Sequence, residues 1–197
     1  MSLLVLFILR MKGAVKLNKP MVVTFSGQAQ HGKDTSLEML KENLESSGAK
    51  VHVTGFADRL KQELLDSYGW NGLKDEAGRS LLQRVGQERR NQLPDYWVDK
   101  VIEFIEGAEP VPDYVLIRDA RYPNEINKLK RSGYKTHTVH VTRLGFDNGL
   151  TDEQKAHPSE LALAGYMFDS FFLAQNLEEL SSFVETLVSS IFAERNV

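Results

Sequence analysis

Apolar residues in this chain come in two arrangements, short unbroken runs and longer stretches of helical spacing, and the two alternate along the sequence. Residues 21–26 (MVVTFS), rich in β-branched and aromatic side chains and stopped by Gly27, predict a buried strand. A helix is predicted from Lys33, with Leu37, Leu40 and Leu44 on one face and an end near Ser47 and Gly48. Residues 51–55 predict a second strand. Leu60, Leu64 and Leu65 then mark a helix broken by the glycines around Trp70, and Leu81, Leu82 and Val85 mark part of another. Pro94 and Asp95 open a helix with Trp97, Val101 and Ile105 on one side. Residues 114–117 (YVLI) are a continuous apolar run of the kind that parallel sheets bury on both faces. Ile126 and Leu129 belong to a helix that stops at Gly133, residues 136–142 alternate as a strand, and residues 171–174 form a last short one. Asn176 is placed to cap a closing helix, with Glu179 three residues on and Leu177, Leu180, Val184, Leu187 and Ile191 as its apolar face.

Strands that alternate with helices predict an α/β fold with a mostly parallel central sheet. No repeat, low-complexity tract or linker divides the chain, so residues 21–197 are expected to form one domain. The polar, glycine-containing stretch 143–158 is the candidate lid-like insertion. Before the first strand, residues 3–9 (LLVLFIL) are apolar and are followed by Arg10 and Lys12. A bilayer span needs about 20 apolar residues, and a secretory signal carries its positive charge before the apolar run, not after it. Residues 1–20 are therefore expected to be a flexible extension, with no membrane partner.

With 197 residues, 42% hydrophobic and 26% charged, the chain is long enough to bury a substantial core. Its net charge of −3 argues against general binding to polymeric nucleic acid, which needs many clustered cations. The absence of cysteine excludes disulfides and thiolate metal sites, and fits a cytoplasmic protein. An acidic chain that binds an anion must do so with a local site.

Gly27-Gln28-Ala29-Gln30-His31-Gly32-Lys33 supplies such a site. Its spacing is G-x-x-x-x-G-K, between a predicted strand and a predicted helix, which is the context a phosphate-binding loop requires. Gly27 and Gly32 let the backbone curl so that successive N–H groups face phosphate oxygens, and the helix N-terminus adds partial positive charge. Lys33 brings a full charge to the β- and γ-phosphates of ATP. His31 is read as lining of this loop rather than as a catalytic base. The residue after the lysine departs from the usual Ser or Thr: Asp34 stands there, with Thr35 next. Both offer oxygen to Mg2+.

Asp119 ends the apolar run 114–117 two residues on, at a strand end where such enzymes place a magnesium-binding acid. Arg121 follows within reach of a phosphate. Arg79, Arg84, Arg89 and Arg90 crowd one helical region beside Gln83, and two or three of them can clamp an acceptor phosphate. Trp97 is read first as a core residue and second as a platform for a base. Arg143 opens the polar stretch, where phosphoryl-transfer enzymes often carry a cation on a closing segment.

Taken in order, these pieces resemble the deoxynucleoside monophosphate kinase family of phages and some bacteria. Gly32-Lys33-Asp34-Thr35 matches its form of the loop, Phe56-Ala57-Asp58-Arg59-Leu60-Lys61 resembles F-A-D-P-L-K, and Leu81-Leu82-Gln83-Arg84-Val85-Gly86 resembles L-L-Q-x-x-G. Asp95-Tyr96-Trp97-Val98 follows at the family's distance. Asp119-Ala120-Arg121-Tyr122-Pro123-Asn124-Glu125 resembles D-V-R-F-P-N-E, His157-Pro158-Ser159-Glu160 resembles H-x-S-E, and Asn176-Leu177-Glu178-Glu179-Leu180 resembles the closing N-x-G-S-L-E-E-L.

The resemblance implies a three-layer P-loop kinase fold and ATP- and Mg2+-dependent phosphorylation of a small nucleotide. On it, Lys33, Asp34 and Arg121 are catalytic, with Asp34 between the two nucleotides. Gly27, His31, Gly32, Lys33, Thr35, Arg143 and Asn176 hold ATP, Asn176 lining the base. Phe56, Lys61, Gln83, Arg90 and Trp97 meet the acceptor, and Asp34, Thr35 and Asp119 serve the metal. A homodimer is an admissible assembly. The chain departs from the pattern at Arg59, where the family has proline, and after Asn176, where no G-S pair intervenes. Which arginine near Glu88 takes the family's clamp position also stays open. Two other readings stand beside this one: a kinase for another phosphorylated metabolite, of the phosphomevalonate or dephospho-coenzyme A kinase kind, and an ATP-binding module without turnover.

Overall fold

The computed structural model describes residues 19–73 and 75–195. Most of the expected N-terminal extension, with its apolar run, lies outside the described residues. Five strands form one sheet: β1 (Met21–Ser26), β2 (Val51–Thr54), β3 (Tyr114–Ile117), β4 (Thr136–Arg143) and β5 (Ser170–Ala174). Their order is β2-β3-β1-β4-β5, and every pairing is parallel, so the sheet is wholly and not just mostly parallel. The helices between them are α1 (Lys33–Ser46), α2 (Phe56–Ser67), α3 (Glu76–Gln92), α4 (Tyr96–Glu106) and α5 (Pro123–Arg131). Two four-residue turns of helix, α6 (Asp152–Lys155) and α7 (Pro158–Leu161), break the polar stretch, and α8 (Leu177–Arg195) closes the fold.

The central strands explain the three layers. Successive side chains of a strand face opposite ways. Met21, Val23 and Phe25 of β1, with Tyr114 and Leu116 of β3, enter one core against Leu37, Leu40 and Leu44 of α1 and Leu180, Val184, Leu187 and Ile191 of α8. Val22, Val115 and Ile117 enter the other against Trp97, Val98 and Val101 of α4 and Ile126 and Leu129 of α5. A strand buried on both faces reads as an unbroken apolar run, which is why β1 and β3 are visible in the sequence.

Two expectations need correction. β4 does not alternate between core and solvent, because His137, Thr138, Val139 and Val141 are all buried between β1, β5 and the layers above and below. Thr138 is satisfied there by Asp169, whose carboxylate accepts from its amide at 2.9 Å and its hydroxyl at 2.7 Å. Leu177, expected on the apolar face of the closing helix, is 64% exposed at the first turn of α8. The start of α8 is otherwise as expected. Asn176 accepts from the Glu179 amide at 2.9 Å, and Glu179 returns a bond to the amide of Gln175 at 2.9 Å.

Glycine is required where β1 ends. Gly27 has φ 131°, and a Cβ there would lie 2.2 Å from the carbonyl oxygen of Val141. Gly27→Ala is expected to cost about 3 kcal/mol of stability through overpacking and backbone strain. Urea unfolding measures it; a loss below about 1 kcal/mol would contradict this packing.

Candidate active site

The loop after β1 sits beside the point where the sheet changes direction, with β2 and β3 on one side of β1 and β4 and β5 on the other. Open α/β sheets bind ligands at that carboxyl edge. Gly27, Gln30 and Gly32 all have left-handed backbone, with φ 131°, 64° and 95°, so the chain curls twice within six residues before α1 begins. Such curls gather backbone N–H groups toward one point. Lys33, the first residue of α1, folds back over the loop and donates to the Gln28 carbonyl oxygen at 2.6 Å. Burial pushes the lysine pKa down to about 8, and the Arg121 guanidinium pushes in the same direction, against Asp34, Glu160 and Asp119. The two cations therefore lie near each other, with the carboxylates of Asp34, Glu160 and Asp119 acting on the same lysine.

Asp34 and Thr35 are exposed on the first turn of α1, and the hydroxyl of buried Ser36 bonds back to the Gly32 carbonyl at 2.9 Å. A cavity of about 550 Å3 opens on this side, bringing together His31, Gly32, Thr35, Arg143 and Asn176 with Gln30. The polar stretch begins by docking on the loop. The Arg143 amide donates to His31 Nδ1 at 3.1 Å, and Asn148 donates to Gln28 Oε1 at 3.3 Å. The Arg143 guanidinium lies 4.5 Å over the Phe146 ring.

On the other side a cavity of about 730 Å3 joins Gln83 and Arg90 of α3 to Arg121, Tyr122, His157 and Glu160. Arg121 is held by Glu160 of α7. Arg90 lies 4.7 Å over the Tyr122 ring and 3.5 Å from Glu125. Glu125, buried at the first turn of α5, accepts from the amides of Arg121 at 2.8 Å and Tyr122 at 3.1 Å. Burial raises its pKa to about 7 against those bonds and Arg90. A third cavity, about 620 Å3, lies between Gly27, Gln28, Arg121 and the rings of His140, Phe168 and Phe171.

Three residues expected at the acceptor are elsewhere. Trp97 is 2% exposed, and its indole N–H bonds to the Gly86 carbonyl at 3.1 Å, so it fixes α3 to α4 and offers no face to a base. Phe56 is likewise core. Lys61 pairs with Asp58 of its own helix at 3.2 Å and lines none of the three cavities. Asp119 is at the carboxyl edge, but its two oxygens accept the amides of Phe56 at 2.8 Å and Ala57 at 2.9 Å, anchoring the N-terminus of α2. Burial raises its pKa, those two bonds opposing. Gly55 makes the anchor feasible, because a Cβ there would meet the carboxylate at 2.8 Å.

Among the described residues no group of three or more His, Asp or Glu side chains could hold a metal ion by itself. Mg2+ at a phosphate site needs only one or two protein oxygens beside the phosphates, a demand that Asp34 and Thr35 fit. Sequence reasoning gave no role to Glu160 or Glu125, although both stand in quoted motifs. The signal was an acid closing each quoted motif, but the Arg121–Glu160 partnership spans 39 residues.

No family model matches the chain, and no curated protein matches it. Among solved structures it is similar to a putative kinase from Chloroflexus aurantiacus, with TM-score 0.51 and 10% identity, over 90% of this chain and 98% of that one. APS kinase CysC from Mycobacterium tuberculosis aligns at TM-score 0.49 and 13% identity, over 87% of this chain and 98% of that one. A gluconokinase from Sinorhizobium meliloti aligns at 0.44 and 14%, over 90% and 98%. At these identities the likeness is one of fold, and only the first carries even that argument.

Relative to the Lys33→Arg variant, the wild type should bind inorganic tripolyphosphate progressively more weakly as pH rises through about 8. A bound polyanion favours charged Lys33, whose pKa in the free protein is about 8, so binding above that pH requires proton uptake. Titration calorimetry across pH 6.5–9.5 tests this, with Lys33→Arg expected to remove the decline. A decline that persists in the arginine variant would reassign it to another group.

Proposed function

We propose that this chain moves the γ-phosphoryl group of ATP, with Mg2+, onto a (deoxy)nucleoside monophosphate to give the diphosphate. The observation that carries the reading is a pair of cavities beside the loop, one lined by His31, Thr35, Arg143 and Asn176, the other by Gln83, Arg90 and Arg121, with Lys33 near enough to Arg121 to feel its charge. A kinase needs a donor and an acceptor in line, with positive charge between them. The resemblance of the loop, the Asp119–Glu125 segment and the Leu81–Gly86 segment to one family narrows the acceptor to a nucleoside monophosphate.

In this reading a phosphate oxygen of the acceptor attacks the γ-phosphorus, the bond from phosphorus to the β–γ bridging oxygen breaks, and ADP leaves with that oxygen's charge. Lys33 and Arg121 offset the negative charge shared among the transferring oxygens. Arg121 reaches the acceptor phosphate by exchanging its Glu160 carboxylate for it. The cavity beside Thr35 takes the donor's base and sugar, with Asn176 and Arg143 at its walls. Asp34 and Thr35 would hold Mg2+, which when bound supplies neutralisation of phosphate charge. Both oxygens of Asp119 are committed to the start of α2, so this carboxylate acts on the edge through its charge.

The test is a panel of acceptors with ATP and Mg2+: deoxy- and ribonucleoside monophosphates, phosphomevalonate and dephospho-coenzyme A. Turnover of at least one nucleoside monophosphate, at a kcat that Lys33→Ala lowers by about 10³-fold, is the expected result. Turnover confined to a non-nucleotide acceptor would move the assignment to another metabolite kinase. Tight ATP binding with no accelerated ADP release on any acceptor would leave a binding module.

A further inference from the structure

We propose that His31 grips the polyphosphate through Nε2–H, in a ring tautomer that the backbone amide of Arg143 imposes. The inference rests on the phosphate-loop reading above and assigns its histidine a defined proton. A backbone amide can only donate, and that of Arg143 lies 3.1 Å from His31 Nδ1. Nδ1 must then present its lone pair, which leaves the proton of the neutral ring on Nε2. Nε2 is buried and has no hydrogen-bond partner among the described residues. Buried donors are rarely left unmet in a folded protein.

The ring's placement says what would meet it. His31 stands two residues before Lys33 and forms part of the wall of both the donor cavity and the aromatic cavity beside Gly27 and Gln28. It cannot swing freely, because its edge meets the Phe146 ring at 5.7 Å and 77°, and Phe146 is itself covered by the Arg143 guanidinium. The charged and titratable groups facing it are Lys33 and Arg143, with His140 nearby and Glu160 opposing them. Burial and the two cations lower the ring's pKa, so it is neutral at physiological pH and keeps a single N–H. A buried donor amid positive charge matches an anionic oxygen, and the loop it belongs to is built for phosphate. The same ring ties the polar stretch after β4 to the loop, so the grip depends on Arg143 being docked.

Long-range 1H–15N NMR of the ring nitrogens, with inorganic tripolyphosphate as probe, reads the tautomer and the new bond directly. The expected spectrum of the free protein is that of the Nε2–H form, and tripolyphosphate moves the Nε2 proton downfield. Two variants separate donor from scaffold. His31→Asn keeps an acceptor near the Nδ1 position but loses the distal donor, and should bind tripolyphosphate about tenfold or more weakly by calorimetry. His31→Gln reaches to the Nε2 position with an amide N–H and should recover most of that loss. An Nδ1–H ring, an Nε2 signal unmoved by tripolyphosphate that does bind, or wild-type affinity in His31→Asn would each overturn the proposal. If His31→Asn does not fold, the wild-type spectra alone decide. Failure of tripolyphosphate to bind the wild type would sink both this inference and the phosphate-loop reading. Binding through His31 with no acceptor phosphorylated would sink the kinase reading alone.

Discussion

The arrangement of the whole edge depends on one close approach: the backbone of Gly27 against the carbonyl of Val141. β1 and β4 are paired in parallel from Val22 to Ser26, and the first residue beyond that pairing passes so near β4 that there is no space for a methyl group. The chain can turn there only with the left-handed backbone that glycine adopts readily. That turn starts the curl, sets the entry to α1, and fixes Lys33 over the Gln28 carbonyl. Everything on either side of the loop is then positioned relative to a rigid central strand with both faces packed.

The charge distribution follows from this geometry. Lys33 and Arg121 lie close enough to depress the lysine's proton affinity, and each leans on an internal partner, a carbonyl for one and Glu160 for the other. Cations held this way stay at the sheet's edge, and an anion that binds them takes the place of those partners. Glu125 supports the same end of the sheet from beneath. It receives the amides at Arg121 and Tyr122, and so shapes the turn that carries Arg121 upward.

Much of this was legible in the sequence, for physical reasons. β1 and β3 are buried on both faces, so their residues form unbroken apolar runs whose limits match the strands, and the loop declares itself by spacing between a strand and a helix. β4 was harder, because His137 and Thr138 are polar side chains buried with partners far along the chain, Glu194 and Asp169, and a hydrophobicity pattern takes them for surface. Trp97 illustrates another limit. Its composition and position suit either a base platform or a core, and only the bond to the Gly86 carbonyl, across two helices, decides for the core. The pairing of Arg121 with Glu160 depends on how the chain returns over the sheet after β4, which no local pattern encodes.

The bond pair at Asp119 has a consequence for how such a site can change over time. One carboxylate supplies negative charge at the sheet's edge and also pins the start of α2, with Gly55 cleared of any side chain to let it do so. Replacement by asparagine would halve the acceptors available to the two amides while also removing the charge. Electrostatics and helix position are thus inherited together at this residue, whereas Gln83 and Arg90, on the partly exposed α3, can drift separately. Sequence change around the larger cavity has its free variables on α3, and almost none at the strand end.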